Sequence, residues 1–445
     1  MRNKTITEFL SNEYKEFAFY SIESRAIASA IDGLKISQRK IIHVASRTWK
    51  TGNEKTLKVF QLSGKVASES FYHHGSSSLD NAIINLAQKF KNNAPLLEED
   101  GQFGSLRSTE SGAPRYIGTK LSKYFNMIYK DSDLLDYKIE EGEEIEPYHF
   151  LPVIPMILVN GTQGIAVGFA ANILNRNIKD VIKNCQKILD GKKISIINPY
   201  LNSFTGDWIE DKENPLRWII RGKFTIKNSN TLIITELPPS MTYEKYELHL
   251  DKLVEENKIS SYDDNCKDSI NYVIKFKRGE LDNLSQDDII KLLKLEESQT
   301  ENLTALDHSG KLRLFSSINE IFEYFVDFRL SFYEKRKSKI IYKIERDLII
   351  LKNRIKFLSM IIDGKFKVNN VAKSDIIKKL ESNKFELVDD SYDYLLKMPI
   401  YSLTKEMYDK LKNELDLKTE ELESMKSTDS RKMYINDLDE LLKKC

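Results

Sequence analysis

The sequence predicts a multidomain α+β chain, and three observations predict it. Amphipathic helical patterns fill most of residues 6 to 90. Residues 176 to 318 alternate strand-like and helix-like stretches. Residues 319 to 445 are mostly helical and carry an apolar repeat with alternating steps of 3 and 4. The chain has 445 residues, 41% hydrophobic and 30% charged. That suits about two to four domains, each with a core of its own.

Residues 6 to 30 read as the first helix, with Phe9, Tyr14, Phe17, Tyr20 and Ile22 among its apolar positions. Residues 37 to 49 and 56 to 71 read as two more, and a fourth runs from about Ser78 to Phe90. Ser77-Ser78-Leu79-Asp80 has capping-box spacing, with Asp in place of Glu or Gln. Helices of this length with short connections fit a helix-turn-helix unit. The most apolar region, Phe150 to Leu174, is broken by Pro152, Pro155, Asn160, Gly161, Thr162 and Gln163. A membrane span needs about 20 mostly apolar residues, so buried strands and turns are expected here and no membrane partner.

Thr231-Leu232-Ile233-Ile234-Thr235-Glu236-Leu237-Pro238-Pro239 reads as a strand ending at a proline turn. A polar helix follows over Tyr243 to Asn257, then an alternating strand over Ile270 to Phe276. Ile341, Ile344, Leu348, Leu351, Ile355, Leu358 and Ile362 form a heptad seam that Asp363-Gly364 stops. Met407, Leu411, Leu415, Leu422 and Met425 form the stripe of a returning helix. Together they predict an antiparallel coiled-coil arm.

Lys plus Arg total 68 and Asp plus Glu total 67, so global charge argues neither for nor against a polyanionic partner. Three distant cysteines, Cys185, Cys266 and Cys445, suit a reducing compartment and no zinc site. The opening Met1-Arg2-Asn3-Lys4-Thr5-Ile6-Thr7-Glu8 lacks the pattern of a secretory signal.

Charge is nevertheless clustered. Residues 33 to 65 hold Lys35, Arg39, Lys40, Arg47, Lys50, Lys55, Lys58 and Lys65 against the single acid Glu54. Lys58 and Lys65, seven apart, would share one helix face while Val59, Leu62 and Val66 occupy another. Such a helix packs on one side and meets phosphates on the other; a solvated basic face has the same pattern. Tyr72-His73-His74-Gly75 stands just before a helix start, where free N–H groups favour anions. A histidine there donates to a phosphate or handles a proton, or simply caps and packs.

Ser111-Gly112-Ala113-Pro114-Arg115-Tyr116 places an arginine beside a tyrosine. A tyrosine hydroxyl is a poor nucleophile near neutrality, yet it attacks phosphorus where cations stabilise the phenolate and the transition state. Arg115 supplies a charge that does not titrate away. Most Arg-Tyr pairs have no such role, so the pair alone leaves both readings open. Asn160-Gly161-Thr162-Gln163-Gly164-Ile165-Ala166-Val167-Gly168 is no Walker loop, because no Gly-Lys-Ser/Thr follows, and it reads as tight turns between buried strands. No nucleotide-binding loop and no paired-carboxylate magnesium motif is evident.

In order, these segments resemble the breakage-reunion part of type IIA DNA topoisomerases. Asp32-Gly33-Leu34-Lys35-Ile36-Ser37-Gln38-Arg39-Lys40, Tyr72-His73-His74-Gly75, Gly101-Gln102-Phe103-Gly104 and Pro114-Arg115-Tyr116-Ile117 come first. Leu151 to Gly161, Gly164-Ile165, Ile234-Thr235-Glu236-Leu237-Pro238 and Met398-Pro399-Ile400-Tyr401-Ser402-Leu403-Thr404 follow. The matches run from about residue 20 to 440.

The resemblance implies a winged-helix DNA-cleavage domain with its helical arm over 1–175, a mixed α/β tower over 176–318, and a coiled coil with a helical dimer gate over 319–445. It implies Tyr116 as the nucleophile of a 5′-phosphotyrosyl link, Arg115 and Arg39 as cations at the phosphate, and His74 as a phosphate or proton contact. His73, Lys35, Lys40, Lys58 and Lys65 would contact DNA, and Ile165 would wedge between base pairs. Mg²⁺ and ATP are expected on a partner ATPase/Toprim subunit, none being bound by this chain alone, and the chain would act as a homodimer on double-stranded DNA. Its Lys-, Asn- and Ile-rich composition and its end after the coil most resemble the medium subunit of large tailed-bacteriophage split enzymes. The lack of a wrapping domain after the coil implies relaxation, decatenation or unknotting rather than negative supercoiling. A cytoplasmic setting is expected, that of the infected bacterium if viral. The segment Ser105 to Pro114 departs from better-known members in composition. A non-cleaving DNA-bending winged-helix scaffold, a repressor-like dimer and a hydrolytic nuclease are the competing readings.

Overall fold

The computed structural model describes residues 5–50, 55–72, 75–267, 269–367, 371–399 and 404–445. His73, His74 and Ile400-Tyr401-Ser402-Leu403 lie outside the described residues, as do the side chains of Phe9 and Tyr20. Contacts gather the chain into two compact units, Met1–Arg329 with Asp437–Cys445, and Leu330–Asn436.

The first unit opens with a helical arm. It is α-helical over Ile6–Phe9 and Lys15–Ser21, and widens to π-turns over Leu10–Tyr14 and Ile22–Ala26. The helix expected to residue 30 stops at Ala26. Beyond it the Ala30 N–H donates to the Leu306 carbonyl at 2.8 Å and the Leu306 N–H to the Ala28 carbonyl at 2.9 Å. Backbone groups that a helix would use internally go to a strand-like partner instead.

Three helices follow, α1 (Ile36–Thr48), α2 (Val59–Glu69) and α3 (Ser76–Ala87). They bury Ile41, Ile42, Leu62, Val66, Leu79 and Ile83, apolar positions that turn to one side of each helix. They pack against a small antiparallel sheet of β1 (Leu57–Lys58), β2 (Leu97–Asp100) and β3 (Gly118–Leu121), with β3 in the middle. The expected capping box at Ser77 does not form. Gly75 is the N-cap of α3, and Asp80 is buried inside the helix. The apolar region after Phe150 supplies a buried helical turn, Met156–Val159, and a hairpin of β4 (Thr162–Ile165) and β5 (Ala170–Ile173).

The α/β stretch builds an antiparallel sheet from β6 (Lys223–Asn228), β7 (Thr231–Glu236), β8 (Ser261–Asp264) and β9 (Tyr272–Lys275), in the order β6-β7-β9-β8. The period of two on β7 and β9 turns Leu232, Ile234, Tyr272 and Ile274 inward. Tyr246, Leu250 and Leu253 of α4 (Tyr243–Glu255) close that core. The mixed α and β character that the sequence predicts is the architecture observed.

The long helix α5 (Ile318–Ile362) and the returning α6 (Lys405–Ser427) make most of the second unit. Leu351, Ile355 and Leu358 pack with Met407, Leu411 and Leu415, while Glu345 pairs with Lys426 at 2.7 Å. Contact positions fall on one helix as they rise on the other, so the two run antiparallel. The last seam residue, Ile362, is 47% exposed. Near that end Phe357 joins a separate cluster with Phe366, Leu380 and Phe385.

Candidate active site

Tyr116 sits in the long connection between β2 and β3. Its turn closes on itself through the Tyr116 N–H, which donates to the Ala113 carbonyl at 2.9 Å. Two N–H groups at the start of α2, which have no acceptor within a helix, find one here. Val59 donates to the Ile117 carbonyl at 3.1 Å and Phe60 to the Pro114 carbonyl at 3.2 Å. The Lys58 ammonium donates to the Tyr116 carbonyl at 2.7 Å. Ile117 is buried behind the turn. The main chain of Pro114–Ile117 is thereby clamped while the Tyr116 side chain is 73% exposed, with exposed Arg115 beside it.

Farther back, the connection is fixed by Gly104. Its backbone is left-handed at φ +85, and an added Cβ would stand 2.8 Å from the Thr109 carbonyl oxygen. Only glycine passes there without strain.

The second predicted element, Ile165, ends β4 and is 84% exposed. The hairpin beneath it is seated closely, since a Cβ at Gly164 would come within 1.9 Å of the Ala26 carbonyl oxygen. Lys35, at the N-cap of α1, donates to the Gln163 carbonyl at 2.8 Å and so ties this hairpin to the basic segment.

Other predicted residues are placed differently. Arg39 is buried, and its guanidinium holds Asp32 through bonds of 2.7 and 3.0 Å. Lys40 is also buried, paired with Glu146 at 2.9 Å and bonded to the Ser70 carbonyl. Neither cation is presented at the surface, because each has an internal acid that the local pattern does not reveal. Lys58 lies before the first residue of α2 rather than on a face shared with Lys65, and Lys65 meets Glu69 at 3.6 Å one turn on. His73 and His74 lie outside the described residues.

Arg107 is the residue that the sequence did not single out. It lies in the departing segment Ser105 to Pro114 and is buried. Its guanidinium donates to the Glu236 carboxylate and to the carbonyls of Leu237, Pro238 and Met241 at 2.7, 2.9 and 2.9 Å. Its own carbonyl accepts from the Tyr243 N–H at 3.0 Å, at the start of α4. The nucleophile connection is therefore bolted to the end of β7 and to α4. The available signal was a lone arginine in a polar loop and a glutamate before a proline pair.

Among the described residues no three His, Cys, Asp or Glu side chains are grouped to hold a metal, and no helix is long and apolar enough to cross a membrane.

The family model of DNA gyrase/topoisomerase IV, for the subunit that breaks and rejoins DNA, matches residues 25–439. The chain belongs to this family and is a type IIA topoisomerase breakage-reunion domain. In particular, it is 34% identical over 455 residues to the mitochondrial DNA topoisomerase 2 of Dictyostelium discoideum, covering 98% of this chain and 35% of that protein. It is 32% identical over 488 residues to DNA topoisomerase 2 of Arabidopsis thaliana, with 98% and 33% covered. Its structure is similar to the crystal structure of the Plasmodium falciparum topoisomerase II DNA-binding, cleavage and re-ligation domain, with a TM-score of 0.84 and 32% identity over 98% of this chain and 63% of that one. The chain spans about a third of the length of these curated relatives, which are eukaryotic.

Proposed function

We propose that this chain is the DNA-binding and cleavage subunit of an ATP-dependent type IIA DNA topoisomerase, working with a separate ATPase/Toprim chain as in the split enzymes of large tailed bacteriophages. The observation that carries the reading is the exposed Tyr116 beside Arg115 on a turn clamped by Lys58, Val59 and Phe60. In this reading 1–175 acts as winged-helix cleavage domain, 176–318 as tower and 319–445 as coiled coil and dimer gate. A twofold dimer sets one Tyr116 against each strand of the duplex. Its setting is the cytoplasm, that of the bacterial host if the enzyme is viral.

The Tyr116 hydroxyl oxygen forms a bond to a backbone phosphorus as the bond from that phosphorus to the 3′ oxygen breaks. The phenol gives up its proton and the departing 3′ oxygen takes one up, leaving a 5′-phosphotyrosyl end and a free 3′ hydroxyl. Arg115, charged at any working pH, stabilises the charge gathering on the phosphate. His74, with His73 beside it, contacts that phosphate or moves the proton. Ile165 enters the base stack and kinks the duplex. Arg39 acts one layer back, holding Asp32 rather than touching DNA. Resealing is the reverse exchange; the phosphodiester energy is kept in the tyrosyl link, so this step needs no ATP. Mg²⁺ and ATP belong to the partner chain, where the metal supports phosphoryl transfer and the nucleotide drives strand passage.

Interlinked DNA circles test the reading. With the partner chain, Mg²⁺ and ATP, the pair releases single circles while either chain alone does not. Circles that stay linked with an active, bound partner contradict it.

A further inference from the structure

Beside the Ile165 hairpin lies a cleft of about 430 Å³, lined by Lys35, Gln38, Asn85, Lys91, Thr162 and Asn175 among others. Its walls come from the start of α1, the end of α3 and the hairpin strands. The chemistry is one-sided. Lys35 and Lys91 supply two ammonium groups, and neither pairs with a carboxylate among the described residues. The acid in the wall, Asp32, is fully buried and taken by Arg39 at 2.7 and 3.0 Å. Burial lowers the pKa of both lysines, as it does for cations that face no anion. Each ammonium has three N–H donors. Lys35 gives one to the Gln163 carbonyl and Lys91 gives one to the Asn85 side-chain oxygen at 2.7 Å. The remaining donors have no acceptor among the described residues.

We propose that this cleft seats a phosphate of the duplex backbone flanking the kink, with Lys35 and Lys91 as its cationic ends; the inference rests on the reading of the chain as a DNA-cleavage subunit. An apolar wedge opens a base step only if the backbone beside it is held against the protein. The cleft provides that hold next to the wedge. Lys35 links the two directly, because the carbonyl it holds, that of Gln163, is two residues before Ile165 on β4. Phosphate binding and wedge position are therefore coupled through one side chain.

The test uses the full chain and a short duplex labelled at both ends for fluorescence energy transfer, titrated across salt. Lys91→Ala should lower the slope of log Kd against log salt by about one unit and weaken the transfer that reports bending. Lys91→Arg should restore both, and Lys192→Ala, on an exposed turn where Lys192 pairs with Asp190, should change neither. Lys35→Met should reduce bending more than it reduces binding. A Lys91→Ala chain with the wild-type slope and bend overturns the proposal, while the wild type still binds and cleaves. A wild-type chain that does not bind duplex removes the parent reading, and this inference with it.

Discussion

The Lys58 ammonium donates to the main-chain carbonyl of Tyr116 across 2.7 Å. The contact joins the residue before α2 to the centre of the Arg115-Tyr116 turn. Together with the Val59 and Phe60 N–H groups, it fixes the turn by its backbone alone. The phenol and the neighbouring guanidinium are left to meet a substrate. A nucleophile held this way loses little further freedom on reaching a near-attack geometry, which is how positioning contributes to rate.

Arg107 should prove costly to remove. Arg107→Ala leaves the Glu236 carboxylate buried without its cation, and breaking a buried pair costs about 3–5 kcal/mol. A scanning calorimeter should record a lower melting temperature, and Glu236→Gln should lose less because the amide oxygen still accepts. Equal melting temperatures for wild type and Arg107→Ala would deny the junction its structural role.

Arg39 separates a structural cation from a phosphate contact. Arg39→Ala should destabilise the fold by about 3–5 kcal/mol through the orphaned Asp32. Measured below the melting range, its salt dependence of DNA binding should match wild type. A slope lower by about one unit, with stability intact, would place Arg39 on the phosphate instead.

These two arginines show where sequence reading stops. Periodicity found the heptad seam, the β7 and β9 strands and the four N-terminal helices, because each is set by neighbours a few residues away. The turn that presents Tyr116 and the hairpin that presents Ile165 were legible as motifs. Arg39 and Lys40 read as part of a basic face because nothing local says that Asp32 and Glu146 draw them inward. Arg107 was invisible for the same reason, its partner Glu236 lying 129 residues away. The arm's early stop at Ala26 likewise depends on the distant Leu306. Pairings across long separations decide which charges are structural.

His43 predicts a pH dependence. Burial, then the charge of Arg47, pushes its pKa down to about 4 from the usual 6.5. The native state holds the neutral ring, so the unfolded chain binds the proton first as pH falls. Stability from this residue is complete above about 6.5 and is lost progressively as pH drops toward 4. Wild type should lose more melting temperature over that window than His43→Gln. Parallel curves for the two proteins would show that His43 is not the source.

Ile165→Ala should bend DNA less while folding normally. The side chain is 84% exposed, so its loss should change stability by no more than about 0.5 kcal/mol. Fluorescence transfer across a doubly labelled duplex reads the bend. An unchanged signal would mean that the exposed isoleucine is not the wedge.

The covalent adduct tests the central claim most directly. Wild-type chain is incubated with its ATPase/Toprim partner, Mg²⁺ and supercoiled plasmid, quenched with detergent, digested and mapped for tyrosine bearing a 5′ nucleotide. The account predicts an adduct at Tyr116 in wild type and none in Tyr116→Phe, with both proteins binding DNA equally. An adduct on another residue, or full cleavage by Tyr116→Phe, would contradict it.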